Sequence, residues 1–377
     1  MADVKDRARE PSTNESPVAP PTSEEEEAKI KLVKQQKQRQ DQIHAFIILA
    51  LVGMSYIFYS DYASFREQAP KLGIEMRPIS DLYYICITAL GMHLIRRVGD
   101  LFIRPAVEGR FMATQGDLAD KHLRLDKLTR QIYDTFFYFG VFFFGYYIAG
   151  DIDYIPSCIG GAGTCDSLGM YWPKMKLLPI MRTYVIVQFG HHLHNLVYHT
   201  VAMKNVGNYF EMIVHHYAAV VSLFYSYFTN WEDYAFIILI CHDLSDGFLN
   251  FGKVLRDLGY GNSLALSITY LLLAISWLGQ RLITIFFCYF GKTQEYYWWK
   301  NPFPAYPELW LSVRRGVNFI IFNIFIIWIL NSIWWIQIVK IGVNKFVKKR
   351  KAWVSEYEGE IDREAVKAKL EAKTKSQ

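Results

Sequence analysis

Eight mostly apolar stretches, each near the ~20 residues that carry a helix across a hydrocarbon core, dominate this chain. They fall at roughly 44–61, 80–95, 131–150, 176–203, 209–229, 233–250, 262–290 and 316–343. A backbone in lipid must satisfy its own polar groups, so segments of this kind fold as helices. The expected fold is therefore all-α: a polytopic transmembrane helical bundle of about eight spans. With 52% hydrophobic and 16% aromatic residues, the composition is too apolar for an ordinary soluble protein. By hydropathy the second and sixth spans are the weakest, the sixth because it carries two aspartates.

Residues 1–43 are rich in Pro, Ser, Glu, Lys and Gln, with the acidic run Ser23-Glu24-Glu25-Glu26-Glu27. Such a segment buries too little apolar surface to fold alone, so it is expected to be a disordered tail without a cleavable leader. The membrane domain is expected over 44–343, followed by a charged tail over 344–377. Lys and Arg near span ends mark the cytosolic side. Lys29, Lys31, Lys34, Lys37 and Arg39 precede span one, and Lys345, Lys348, Lys349, Arg350 and Lys351 follow span eight. Both termini are then cytosolic, which an even span count requires. Basic connections after span two (Arg96, Arg97, Arg104, Arg110, Lys121, Arg124, Lys127) and span six (Lys253, Arg256) agree. The net charge of +5 is spread over these flanks, a pattern of membrane-surface charge rather than nucleic-acid binding. On the opposite side, Cys158 and Cys165 flank a glycine-rich loop; a small disulfide and two unpaired thiols are both compatible with that spacing.

Seven of the ten histidines lie between His191 and His242, in three consecutive spans. Ionisable groups are costly in a bilayer, so such a cluster is a functional-site hypothesis by default. With the topology above, His191, His192, His194 and His199 sit in the cytosolic half of span four. His215 and His216 lie about two turns into span five, ~10 Å at 1.5 Å per residue, and His242, Asp243 and Asp246 near the cytosolic end of span six. Asp243, Asp246, Asn250 and Lys253 are spaced to share one helix face; His242 with Asp246, and His194 with Tyr198, are one turn apart.

Imidazole beside carboxylate suits general-base or nucleophilic catalysis. No G-x-S-x-G elbow, P-loop or dinucleotide fingerprint occurs. A histidine-ligated metal enzyme acting on lipids is a rival, but only His194 to His199 (H-x4-H) resembles a di-iron histidine box. Interhelical hydrogen bonding is the bland alternative. It fits His191, His192 and His199 better than the paired 215/216 and 243/246 positions.

These residues resemble the ceramide synthase (longevity-assurance) branch of the TLC-domain proteins, whose motif has the form H-H-x-x-T … S-Y … N … H-D-x-S-D-x-x-L-E-x-x-K. Here it reads His215-His216-Tyr217-Ala218-Ala219, Ser226-Tyr227, Asn230, then His242-Asp243-Leu244-Ser245-Asp246-Gly247-Phe248-Leu249-Asn250-Phe251-Gly252-Lys253. Weaker echoes over about 100–343, the TLC-like core, include Trp172-Pro173 and Arg281. Ala219 stands for the usual Thr, Asn250 for Glu and Ala235 for Gly. Val206-Gly207-Asn208-Tyr209-Phe210 replaces a charged stretch, and Asp233 takes an often basic position. There is no homeobox-like insert between spans one and two.

The resemblance implies N-acyl transfer from acyl-CoA to a sphingoid base in the endoplasmic reticulum membrane, among membrane lipids and as a homo- or hetero-oligomer. It implies His215, His216, Asp243 and Asp246 as the catalytic group, with His242, Asn250, Lys253, His194, Tyr198 and Arg281 as substrate contacts. Lys253 and Arg256 are candidates for CoA phosphates. No cofactor beyond the co-substrate acyl-CoA, and no metal, is implied. The departures at Ala219 and Asn250 favour the alternative of a non-catalytic TLC-domain protein that senses or transfers lipid or joins a translocon.

Overall fold

The computed structural model describes residues 57–112, 118–164, 167–169, 171–174, 178–202, 209–291 and 305–347, with four isolated helical positions before residue 57. The chain divides into Met1–Tyr56 and Ile57–Gln377; the architecture that follows belongs to the second unit. The N-terminal tail, most of span one, the stretch at 206–208, Cys165 and residues beyond 347 lie outside the described residues.

A helix over 57–68 (α1) is followed by α2 (Asp81–Met112), α3 (Leu118–Ala149), α4 (Pro179–Ala202), α5 (Tyr209–Phe228) and α6 (Glu232–Asp257). Next come α7 (Leu264–Ser276), which continues in wider π-helical turns over Trp277–Thr284 and Phe286–Gly291, and α8 (Pro307–Gly342). Among the described residues the only β feature is an isolated Pro156–Gly163 bridge. The protein is an all-α membrane bundle. Among the described residues, four helical stretches are long and apolar enough to span: Leu125–Ala149, Glu232–Asp257, Leu264–Phe290 and Pro307–Lys345. The sixth segment thus ranks higher than its aspartates suggested. The fourth and fifth rank lower, because α4 carries Arg182, Gln188 and four histidines and α5 carries the His215–His216 pair.

Two differences from the hydropathy pattern have local causes. The basic connection expected after span two is largely helical, since α2 runs to Met112 and α3 begins at Leu118. The end of α2 stays helical although it holds Pro105 and two glycines, which are poor helix formers, and Arg104 pairs with Asp126 across the two helices. In α7 the π-helical turns leave no mark on residue periodicity. They place Trp277 and Arg281 together in the interior, with Arg281 4.0 Å over the indole.

Helix α6 is the centre of the bundle, packed against α3, α5 and α7, while α2 lies along α4 and α5 meets α8. Its first half is buried throughout from Glu232 to Ile237. At that end the helices are tied by ion pairs. Arg77 meets Glu232, Arg182 meets Asp81, and Tyr227 donates to Asp81. Asp61 accepts from Arg315 at 2.6 Å and from the Gly316 amide at 2.7 Å. Asn230 turns α5 into α6 at φ 63°, a left-handed value that Asn tolerates better than most residues. Its amide donates to the carbonyls of Glu75 (2.8 Å) and Pro173 (3.0 Å). Trp172 stacks on Trp231 at 4.9 Å and donates to the Thr229 carbonyl. Asp233 holds the Gly169 amide at 2.7 Å. The motif's Tyr227 and Asn230, and the Trp172-Pro173 echo, are thus architectural, and they frame the end of α6 opposite its histidine and second aspartate.

Candidate active site

Past the middle of α6, side chains from α3, α5, α7 and α8 converge on a cavity of about 620 Å³. Its wall carries His215 and His216 from α5; Asp246, Asn250, Lys253 and Arg256 from α6; Arg281 from α7; and Trp334 and Lys340 from α8. From α3 come Arg130, Asp134 and Tyr138. A smaller void of about 50 Å³ continues inward, lined by Ser222, Ser226, His242, Asp243 and Tyr289. The two share only Tyr138, His215, His216 and Asp246. The histidine pair therefore stands at the junction of a polar outer chamber and a narrow inner one.

Each histidine has a distinct environment. Both ring nitrogens of His216 are buried with no hydrogen-bond partner among the described residues, and the ring lies 4.7 Å from His199 and 6.2 Å from His192. Nδ1 of His215 is likewise unpartnered, and its ring packs 5.6 Å from Trp334 and 6.3 Å from His242. His242 is committed instead. Its Nδ1 faces the Ile238 carbonyl at 2.7 Å, so it must carry the proton and donate, which leaves Nε2 to accept from Asn331 Nδ2 at 3.0 Å. The same logic fixes His199: a guanidinium only donates, so Nε2 accepts from Arg130 at 3.2 Å and Nδ1–H bonds the Asn195 carbonyl at 2.8 Å.

Among the described residues, the two carboxylates are engaged by groups other than imidazole. Asp243 accepts from Tyr184 at 3.2 Å and from Gln188. Asp246 pairs with Arg281 at 2.5 Å. Arg281 also donates to Ser245 Oγ (2.5 Å) and the His242 carbonyl (2.7 Å), binding α7 to α6 beneath the histidines. Helix periodicity put Asp243 with Asp246, Asn250 and Lys253. In the fold Asp246, Asn250 and Lys253 line the outer chamber, whereas Asp243 lines the inner one and reaches α4. Asn250 bonds the Asp246 carbonyl at 2.9 Å.

His194 and Tyr198 line neither chamber. They stack on each other at 6.1 Å, beside His93 (5.6 Å from His194) and beneath Arg96 (4.2 Å over Tyr198). Several residues at or beside the site were not expected from the sequence. Asn331, one of four side-chain amides in span eight with Asn318, Asn323 and Gln337, did not stand out. The Arg130–Asp134 ion pair carried a signal, with its charges one turn apart at a span entrance. Tyr138 and Tyr184 carried none among so many aromatics. No three His, Cys, Asp or Glu side chains among the described residues form a metal-holding group.

A family model described as the TLC domain matches residues 127–340, over half of the chain. The chain belongs to the TLC-domain family. Within that family it is 29% identical over 113 residues to ceramide synthase LOH2 of Arabidopsis thaliana, covering 30% of this chain and 37% of the relative. It is 26% identical over 135 residues to sphingosine N-acyltransferase lag1 of Schizosaccharomyces pombe, covering 36% and 33%. The aligned stretches thus span about a third of each curated relative. The matches bear out the resemblance carried by His215-His216 and His242-Asp243-Leu244-Ser245-Asp246.

Proposed function

We propose that this TLC-domain protein is a sphingosine N-acyltransferase of ceramide synthase type, moving an acyl chain from acyl-CoA to the amine of a sphingoid base. The observation that carries this reading is the junction of the two chambers, where His215, His216 and Asp246 meet. Unpartnered imidazole nitrogens there are free to take a proton from an amine or to attack a thioester. In the general-base form, one histidine of the pair removes the amine proton and the nitrogen adds to the thioester carbonyl carbon. Collapse breaks the C–S bond, and the departing sulfur takes the proton back from the imidazolium. In the nucleophilic form the same ring first carries the acyl group as an acyl-imidazole.

The surroundings divide the remaining tasks. Lys253, Arg256 and Lys340, all on the outer chamber, suit CoA phosphates. Asp246, partly exposed there while held by Arg281, suits the incoming ammonium. Asp243, held by Tyr184 and Gln188, puts its carboxyl group on the wall of the inner chamber that the histidine pair also lines. His242, with both ring nitrogens engaged, acts as a brace between α6 and α8. In this reading the outer chamber opens to the cytosol, both termini are cytosolic by their basic flanks, and the membrane is that of the endoplasmic reticulum. The chemistry described needs no metal.

The test is ceramide formation by purified protein supplied with sphinganine and acyl-CoAs of graded length. Amide product with matching release of free CoA thiol is expected. Folded protein that yields no product with any pairing would refute the reading in favour of a non-catalytic TLC-domain role.

A further inference from the structure

Of the four residues common to both chambers, three are the ionisable groups above; the fourth is Tyr138 of α3. It is 9% exposed. Its ring is held edge-on by Phe137 (5.7 Å, 75°) and His191 (5.3 Å, 85°), which fixes where the hydroxyl lies. His191 is fixed in turn, stacked on Phe137 at 3.8 Å and fully buried. The Tyr138 hydroxyl is 3.3 Å from His191 Nε2, and Asn195 Nδ2 is nearer to the same nitrogen at 2.9 Å. An imidazole nitrogen that accepts has one lone pair. With Asn195 as the closer donor, the phenolic proton is held only by a long contact. It remains available to an acceptor arriving in the cavity.

Resting on the acyl-transfer reading, we propose that Tyr138 is a further catalytic residue, the hydrogen-bond donor to the acyl carbonyl oxygen. When the amine nitrogen, or an imidazole nitrogen, bonds to the thioester carbon, the C=O π pair moves onto oxygen. Tyr138 donates to that oxyanion, and the bond loosens again as the pair returns and the C–S bond breaks. The phenol keeps its proton throughout, so it acts by charge stabilisation rather than proton transfer. A neutral donor suits a site whose other oxyanion candidate, Arg281, is already committed to Asp246, Ser245 and the His242 carbonyl. His191 and Asn195 are then positioning residues, acting through the hydroxyl they hold.

The experiment measures kcat and KM for acyl-CoA with full-length Tyr138→Phe, beside Tyr133→Phe as a control. Tyr133 lies on the same helix, with its hydroxyl donated to Met92 Sδ at 3.2 Å. Tyr138→Phe is expected to lose about 100-fold in kcat, the usual effect of removing one oxyanion donor, with KM unchanged, while Tyr133→Phe matches the wild type. Undiminished kcat in Tyr138→Phe, beside an active wild type, overturns the Tyr138 assignment and leaves the acyl-transfer reading standing. A wild type that forms no product overturns both. Should Tyr138→Phe fail to fold, difluorotyrosine at 138 keeps the ring and the hydroxyl but makes the donor more acidic. A shifted kcat then supports the role, and an unshifted one overturns it.

Discussion

Arg281 spends its guanidinium on Ser245, the His242 carbonyl, Asp246 and, at 3.4 Å, Asn331 Oδ1, while its flat face rests on Trp277. Removing it would strand Asp246 without its partner. Breaking a buried pair from one side costs roughly 3–5 kcal/mol, and the 22% exposure of Asp246 places this case at the low end. Arg281→Ala should therefore lower the thermal unfolding midpoint sharply. The Arg281→Ala/Asp246→Ala double variant should lose less than the sum of the two singles, measured as a double-mutant cycle. The two histidine clusters should also separate in their effect on turnover. His194, off both chambers, should give a His194→Phe variant with turnover in the wild-type range, whereas His216→Ala should lose it. Equal losses would place His194 in the reaction path. Ionisable residues such as Arg281, Asp246 and the histidine pair were legible because charge in an apolar segment stands out. Tyr138 was not, because in a chain with 25 tyrosines and 26 phenylalanines another aromatic reads as packing.

Helices in this bundle cross closely where a residue lacks a side chain. A Cβ on Gly190 of α4 would fall 2.6 Å from Thr88 of α2, and one on Gly316 of α8 would fall 2.3 Å from the Tyr225 ring of α5. Small residues at crossings let backbones approach where lipid offers no hydrophobic drive to associate. Tyr225 uses the approach, donating to the Val313 carbonyl at 2.8 Å. Gly316→Ala should cost roughly 1–3 kcal/mol by overpacking, read as a lowered unfolding midpoint; an unchanged midpoint would mean that α5 and α8 separate freely. Apolar run length gave the helices but not their ends. Helix α2 runs through its basic stretch, Pro105 included, to Met112, and the π-helical turns of α7 leave no mark on residue periodicity. Neither is written in hydropathy.

Across the whole molecule, polar chemistry is divided between the two ends of α6. One end carries saturated ion pairs, with Arg77–Glu232 at 5% and 2% exposure. The other carries imidazoles with unpartnered nitrogens facing a cavity. The first arrangement ties the bundle together, and under the proposed function the second supplies the reacting groups. Glu232→Ala should thus destabilise by roughly 3–5 kcal/mol while leaving kcat of the folded fraction at the wild-type value, a separation seen by pairing unfolding curves with activity per folded molecule. Membrane class and the histidine-lined end were legible from apolar length and clustered histidines. The ion-paired end was not, because Arg77 and Asp81 lie far in sequence from their partners Glu232 and Arg182, at segment boundaries where charge is ordinary.

The most direct test of the account is the N-acylation rate of sphinganine in His215→Ala, His216→Ala and Asp243→Ala variants whose unfolding curves show them folded, beside the wild type. The account predicts ceramide from the wild type and its loss in the His215 and His216 variants at least, since these rings sit where the chambers meet. Wild-type turnover surviving in every one of these folded variants would contradict it.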